Sequence, residues 1–193
     1  EKSVSIFDRS YNYIGNLTPS GNVVSSPDMK FGASVYTMME DSKGRIWLGA
    51  KGDGIYVATP QKISSNNVDS YRIDHYTRRL DDLESLSDSG VYSIFEDKKG
   101  RVWIGTYGGG LNLVDEGKDG SMRFIHARNG GLPTYPIVSC DKVRYVTANS
   151  DGDIMLCTTG GFVTFDSDFT SPRDIRFYRN WSDITRDSTL SDS

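Results

Sequence analysis

The sequence predicts an all-β chain: a β-propeller fragment of about three complete four-stranded blades, plus partial blades at both ends. Three observations carry that expectation. One stretch occurs in three copies: Val35 to Thr59 (VYTMMEDSKGRIWLGAKGDGIYVAT), Val91 to Asp115 (VYSIFEDKKGRVWIGTYGGGLNLVD) and Val143 to Asp166 (VRYVTANSDGDIMLCTTGGFVTFD). Each copy reads as three short strands and two tight turns, and the turn glycines Gly44, Gly100 and Gly152 recur at intervals of 56 and 52 residues. Repetition on that scale marks propellers, solenoids or arrays. Next, both faces of the strands carry apolar residues; in the first strand of the second copy, Val91 and Phe95 are expected on one side and Tyr92 and Ile94 on the other. A sheet that is apolar on both sides must be covered on both sides, and four-stranded sheets stacked face to face supply that cover. Finally, 36% hydrophobic residues is low for a single compact core, whereas 20 glycines and 11 tyrosines suit many short strands and turns.

Taken in order, residues 1–31 read as the end of a preceding blade and a connecting loop. Ser3–Asp8 has the character of a third repeat strand, Tyr11–Leu17 alternates like an outer strand, and Thr18 to about Lys30 is a polar loop. The first full blade is expected over 32–80, with strands at Val35–Glu40, Ile46–Ala50, Ile55–Thr59 and Ser70–Thr77 and a polar loop from Pro60 to Asp69. The second spans 81–130, with strands at Val91–Glu96, Val102–Thr106, Leu111–Val114 and Met122–Ala127. The third spans 131–180, with strands at Val143–Thr147, Ile154–Thr158, Phe162–Phe165 and Ile175–Tyr178. Residues 181–193 read as a connection into a further blade, because Leu190-Ser191-Asp192-Ser193 repeats Leu86-Ser87-Asp88-Ser89 letter for letter. An open stack of this kind leaves an apolar sheet face at each end and is expected to associate with itself.

The bulk chemistry narrows the function classes. With 22 basic and 26 acidic residues the net charge is −4, without the clustered basic excess of a nucleic-acid surface. No apolar run approaches the ~18–20 residues of a membrane span, and Glu1-Lys2-Ser3 does not open a signal peptide. Membrane attachment is therefore expected only through regions outside this sequence. Cys140 falls in a loop and Cys157 at a strand end facing the neighbourhood of Val146, a geometry that favours two unpaired thiols over a disulfide.

The conspicuous motifs have plain structural readings. Trp47 and Trp103 occupy equivalent mid-strand positions, where a large side chain is needed between blades, and Met155 fills the same place in the third copy. The glycine-rich turns lack the strand–turn–helix context and the Lys-Ser/Thr pair of a phosphate loop. The acidic turn from Asn149 to Asp153 lacks the ligand spacing of a calcium loop. His75 and His126 fall in outer strands with no nucleophile motif beside them. No catalytic residue, metal or cofactor is expected.

The repeat V-Y-S-I-x-E-D-x-x-G-R-x-W-I-G-T-x-G-G-G-L closely resembles the two-component regulator propeller repeat, which is found in sensor domains of bacterial hybrid two-component systems. Val91–Leu111 matches almost throughout. Val35–Ile55 matches nearly as well, with Ala50 for the usual Thr and Asp53 for a Gly. Val143–Phe162 departs at Asp153, Met155 and Cys157. The resemblance implies a periplasmic segment of a sensor histidine kinase, with the kinase, receiver and DNA-binding modules lying elsewhere. It further implies an oligosaccharide ligand, contact with the remaining blades of a parent propeller, and a homodimeric parent.

Topology alone places a ligand. In an antiparallel four-stranded blade, the connection into the first strand and the turn between the second and third strands share one face. That face is expected to gather Ser34, Lys51, Asp53, Ser89, Tyr107, Tyr135 and Thr159, and its turns differ most among the copies. The leading reading is thus a non-catalytic, ligand-sensing propeller segment. An architectural or dimerisation role is the alternative, and a propeller lyase or hydrolase, needing an acid and a base near the channel, comes third.

Overall fold

The computed structural model describes residues 2–64, 67–132, 141–169 and 175–179. Tyr135, Cys140 and the repeated Leu190–Ser193 stretch lie outside the described residues. Strands β1 (Ser5–Phe7), β2 (Tyr13–Leu17) and β3 (Val23–Val24) form a three-stranded sheet. The first four-stranded blade comprises β4 (Val35–Glu40), β5 (Ile46–Ala50), β6 (Ile55–Ser64) and β7 (Asn67–Tyr76). The second comprises β8 (Val91–Glu96), β9 (Val102–Thr106), β10 (Leu111–Glu116) and β11 (Met122–His126). The third comprises β12 (Val143–Ala148), β13 (Ile154–Thr158), β14 (Gly161–Phe165) and β15 (Ile175–Arg179). Every sheet is an antiparallel meander. The first strands of successive blades lie side by side, β4 against β8 and β8 against β12. This is the arrangement of a β-propeller.

The turn between the first two strands of each blade is built by one acidic or amide residue. Asp41 accepts from the backbone N–H of Lys43 and Arg45, from Arg45 Nε at 2.7 Å and from the Trp47 indole at 2.7 Å. Asp97 repeats the set with Lys99, Arg101 and Trp103. The turns close on Gly44 and Gly100, both at φ 74°, a left-handed conformation in which glycine is favoured. Burial alone would raise the Asp41 and Asp97 carboxyls. The hydrogen bonds from the indoles and from the arginines outweigh it and hold both below their ordinary value. The third copy changes three residues together. Asn149 accepts from the N–H of Asp151 and Asp153 and donates to the Asp153 carboxylate, while Met155 stands in place of the tryptophan. The carboxylate is replaced where its indole and guanidinium donors are.

The core is divided between neighbouring sheets. Trp47, Ile55 and Val57 of the first blade pack with Leu86, Val91, Ile94, Ile104 and Phe124. Trp103 and Leu111 of the second pack with Val143, Val146, Leu156, Val163 and Phe165 of the third. Leu17 and Phe31 cover Leu48 and Ala50 on the other side of the first blade. Both tryptophans are therefore inter-blade packing residues, 0% and 1% exposed.

The structure departs from the sequence-based expectations in four places. Each first strand carries a bulge after its opening valine, between Val35 and Thr37, Val91 and Ser93, and Val143 and Tyr145. The extra residue shifts the alternation, so Val91 shares a core with Ile94 while Phe95 packs with Trp103 on the opposite face. Strict period-two reading had paired Val91 with Phe95. The stretch from Pro60 to Asp69, expected as a polar loop, is largely the far end of a hairpin whose two strands, β6 and β7, are ten residues each. Its register shifts at Pro60 and Lys62 accommodate the proline. The expected loop after Thr18 contains β3, which pairs with β2, and Asn22 bridges to Ser70 of β7. Cys157 faces Tyr145 rather than Val146, again because of the bulge, and is a free, exposed thiol.

Candidate functional site

The turns after β5, β9 and β13 share a face with the connections into β4, β8 and β12, and backbone hydrogen bonds join the two sets. Within blades, Lys51 N–H donates to the Ser34 carbonyl at 3.0 Å, Tyr107 N–H to Gly90 at 2.8 Å and Thr159 N–H to Lys142 at 3.2 Å. Between blades, Gly54 N–H donates to the Ser89 carbonyl at 2.7 Å, and Gly108 and Gly110 N–H both donate to Asp141. Six of the seven residues expected on this face, Ser34, Lys51, Asp53, Ser89, Tyr107 and Thr159, are thus placed on it. Tyr135 lies outside the described residues.

These six do not form one constellation. Lys51, Ser89 and Tyr107 line an open cleft of about 470 Å³, together with Arg78, Leu80, Asp88 and Tyr92. Asp53 is instead engaged within its own blade. Its carboxylate accepts from the Tyr56 hydroxyl at 2.6 Å, and its carbonyl meets His75 Nε2 at 2.7 Å, with the His75 ring stacked on Tyr56 at 3.9 Å. Ser34 serves the turn through its carbonyl, and Ser89 Oγ accepts from the Arg78 N–H.

Sequence reasoning missed the residues that complete the site. Tyr36, Tyr92 and Arg144 are the bulged residues of β4, β8 and β12, and they make a continuous row across three blades. Tyr36 meets Tyr92 edge to face at 5.5 Å, and Tyr92 meets Tyr107 at 5.1 Å. The Arg144 guanidinium lies 4.6 Å from the Tyr107 ring and 5.2 Å from the Tyr92 ring. Lys142 Nζ is 5.4 Å from the Tyr107 ring, and Lys51 Nζ is 5.7 Å from Tyr36 at the other end. Three repeat positions supply these groups: Ser34/Gly90/Lys142, Tyr36/Tyr92/Arg144 and Lys51/Tyr107/Thr159. The signal was present as the disagreement of the copies, but the bulge that turns the middle position onto this face is not written in residue type.

The opposite face carries a different chemistry. Lys43 and Arg45 of the first blade bind Glu116 of the second, the arginine through both terminal nitrogens at 3.0 and 3.1 Å. Lys99 and Arg101 of the second bind Asp168 of the third. These four cations each have a carboxylate in the next blade, and Lys98 reaches the next blade through the Ser150 carbonyl. Neither histidine completes a proton-transfer pair in the cleft: His126 is buried against the Ser85 carbonyl, and burial lowers its pKa.

Comparisons with known proteins agree with this architecture. Residues 30–52 and 85–108 match the family model described as two component regulator propeller, each match covering β4–β5 or β8–β9 with the turn that follows. These two segments are two-component regulator propeller repeats by that match. No curated protein sequence matches it. Among solved structures, the extracellular domain of a hybrid two component system from B. thetaiotaomicron is similar at 23% identity and a TM-score of 0.52, over 93% of this chain and 23% of that one. Virginiamycin B lyase from Staphylococcus aureus is similar at 18% identity and a TM-score of 0.56, over 94% and 50%. PorZ, a surface component of the type-IX secretion system of Porphyromonas gingivalis, is similar at 14% identity and a TM-score of 0.54, over 89% and 24%. The chain spans about a quarter of the first and third and half of the second. At these identities the likeness shows a shared propeller fold. Among the described residues, no helix is long and apolar enough to cross a membrane.

Proposed function

We propose that this chain is a non-catalytic, ligand-sensing propeller segment from the extracytoplasmic part of a hybrid two-component sensor, and that its ligand is an oligosaccharide. What carries the reading is the meeting of the three variable repeat positions in one row of tyrosines and cations, beside an open cleft, on a scaffold of two-component regulator propeller repeats. Tyrosine faces stack against the C–H face of a sugar ring, and the rings here are held at low conformational cost. Lys51 and Arg78 at the cleft supply donors to hydroxyl groups. Signalling would follow from differential affinity: the ligand favours one arrangement of the sensor over another, and shifts the equilibrium only by that difference.

A second reading, in which these blades only space or dimerise the sensor, draws on the backbone roles of Ser34 and Ser89 and on the engagement of Asp53 by Tyr56. Calorimetry of the chain against an oligosaccharide panel separates the two. Binding that weakens about tenfold in Tyr107→Ala, ~1.4 kcal/mol, is the expected result for the sensing role. Affinity unchanged in both Tyr107→Ala and Lys51→Ala would leave the architectural role. Turnover of any glycan by the chain would overthrow both.

A further inference from the structure

The cations of the two faces are treated differently. On the face that joins blade to blade, Lys43, Arg45, Lys99 and Arg101 all bind carboxylates. On the other face, Lys51, Lys142 and Arg144 enter no salt bridge among the described residues and rest against tyrosine rings instead. Arg144 is the sharpest case. Its guanidinium carbon caps the pair of rings, 4.6 Å from the Tyr107 centroid and 5.2 Å from that of Tyr92, and no salt bridge engages it among the described residues. A guanidinium stacked on aromatic rings keeps its forked N–H edge available for a planar or tetrahedral oxyanion. Of the carboxylates on this face, Asp53 is engaged by the Tyr56 hydroxyl, Asp88 accepts from the Gly90 N–H, and Asp141 receives the Gly108 and Gly110 N–H on its backbone carbonyl; among the described residues none of the three forms a salt bridge with Lys51, Lys142 or Arg144. In a chain of net charge −4, three cations without a salt bridge among the described residues thus stand along one aromatic row.

We infer that the site takes an acidic sugar, a saccharide bearing a carboxylate or a sulfate ester. The oxyanion would sit on the Arg144 edge with Lys142 beside it, and the sugar rings would lie along Tyr107, Tyr92 and Tyr36 toward Lys51. This rests on the proposal that the face binds oligosaccharide, and it deepens that proposal by assigning the charge class.

Three probes, each measured by calorimetry at low and high salt, test it: oligogalacturonates, the same oligomers with their carboxyls reduced to alcohols, and sulfated galactan oligosaccharides. The expected result is binding of one or both acidic probes that weakens with salt, and affinity for the reduced oligomers lower by about tenfold to a hundredfold, the effect of losing a hydrogen bond to a charged group. The two acidic probes tell a carboxylate ligand from a sulfate ester. Arg144→Gln is expected to abolish the preference for acidic over reduced oligomers, and Arg144→Lys to restore part of it. Because Arg144 is exposed and outside the core, unchanged thermal melting in both variants will separate a binding defect from a folding defect. Equal affinity for the acidic and reduced oligomers would overturn the charge assignment and leave the sensing role standing. Absence of binding by acidic and neutral probes alike would overturn the sensing role of this face, and the assignment with it.

Discussion

A β-carbon placed on Gly105 would stand 2.7 Å from Val143 Cγ1 and 3.0 Å from Val146 Cγ2, and one on Gly49 would stand 2.5 Å from Val91 Cγ1. These glycines let the opening valine of the next blade sit against the strand behind it. Gly105→Ala is therefore expected to destabilise the fold by about 1–3 kcal/mol through overpacking, read as a lower midpoint in urea; an unchanged midpoint would show that the neighbouring strand yields freely. The turn carboxylates make a second residue-scale prediction. The folded-state pKa of Asp41 and Asp97 lies below the ordinary 3.8, so their stabilisation is fully present above that value and is lost as pH falls through the lowered one. Denaturation midpoints taken from pH 6 down to pH 2.5 are expected to fall steeply only at the acid end. Asp97→Asn should cost about 1–3 kcal/mol at pH 6 and flatten the acid slope. A slope unchanged by the substitution would assign the acid sensitivity to other carboxylates.

At the level of strands and turns, the ion pairs between blades are modest contributors. Glu116 has a side chain 26% exposed, and burial opposes its charge while Lys43 and Arg45 lower its pKa. Glu116→Gln is expected to cost about 0.5–1 kcal/mol at low salt, with the difference from the parent shrinking in 1 M NaCl; a loss insensitive to salt would point to packing rather than charge. Much of this level was legible beforehand. The copied turns, the meander order and the packing role of Trp47 and Trp103 all follow from repeat spacing and from apolar residues on both faces. So did the face that gathers Lys51, Ser89 and Tyr107. What escaped was set by backbone geometry. A bulge adds one residue to a strand without a residue type of its own, so the parity of Val91, Ile94 and Phe95 and the exposure of Tyr36 and Arg144 were hidden. The length of the β6–β7 hairpin was hidden for a related reason: Pro60, which reads as a strand terminator, is tolerated at an irregularity in the ladder.

Across the whole molecule, each apolar cluster belongs to two adjacent sheets, so stability is a sum of neighbour contacts along a stack. Damage should stay local. Trp103→Ala is expected to remove about 3–5 kcal/mol from the boundary of the second and third blades. Amide exchange should then accelerate in β12–β14 while β5 and β6 keep their protection; uniform acceleration would mean that the blades unfold as one unit. The bulges at Tyr36, Tyr92 and Arg144 have a consequence of another kind. Each of these residues sits beside the ladder instead of in it and faces away from the buried clusters, so its identity is only weakly coupled to folding. Exchanging them re-keys the surface while the scaffold stays as it was. A library randomised at these three positions should retain the parent's melting behaviour in most members while diverging in what it binds. Each blade, in that sense, carries one replaceable character, and under the sensing role proposed above the row as a whole would set what is bound.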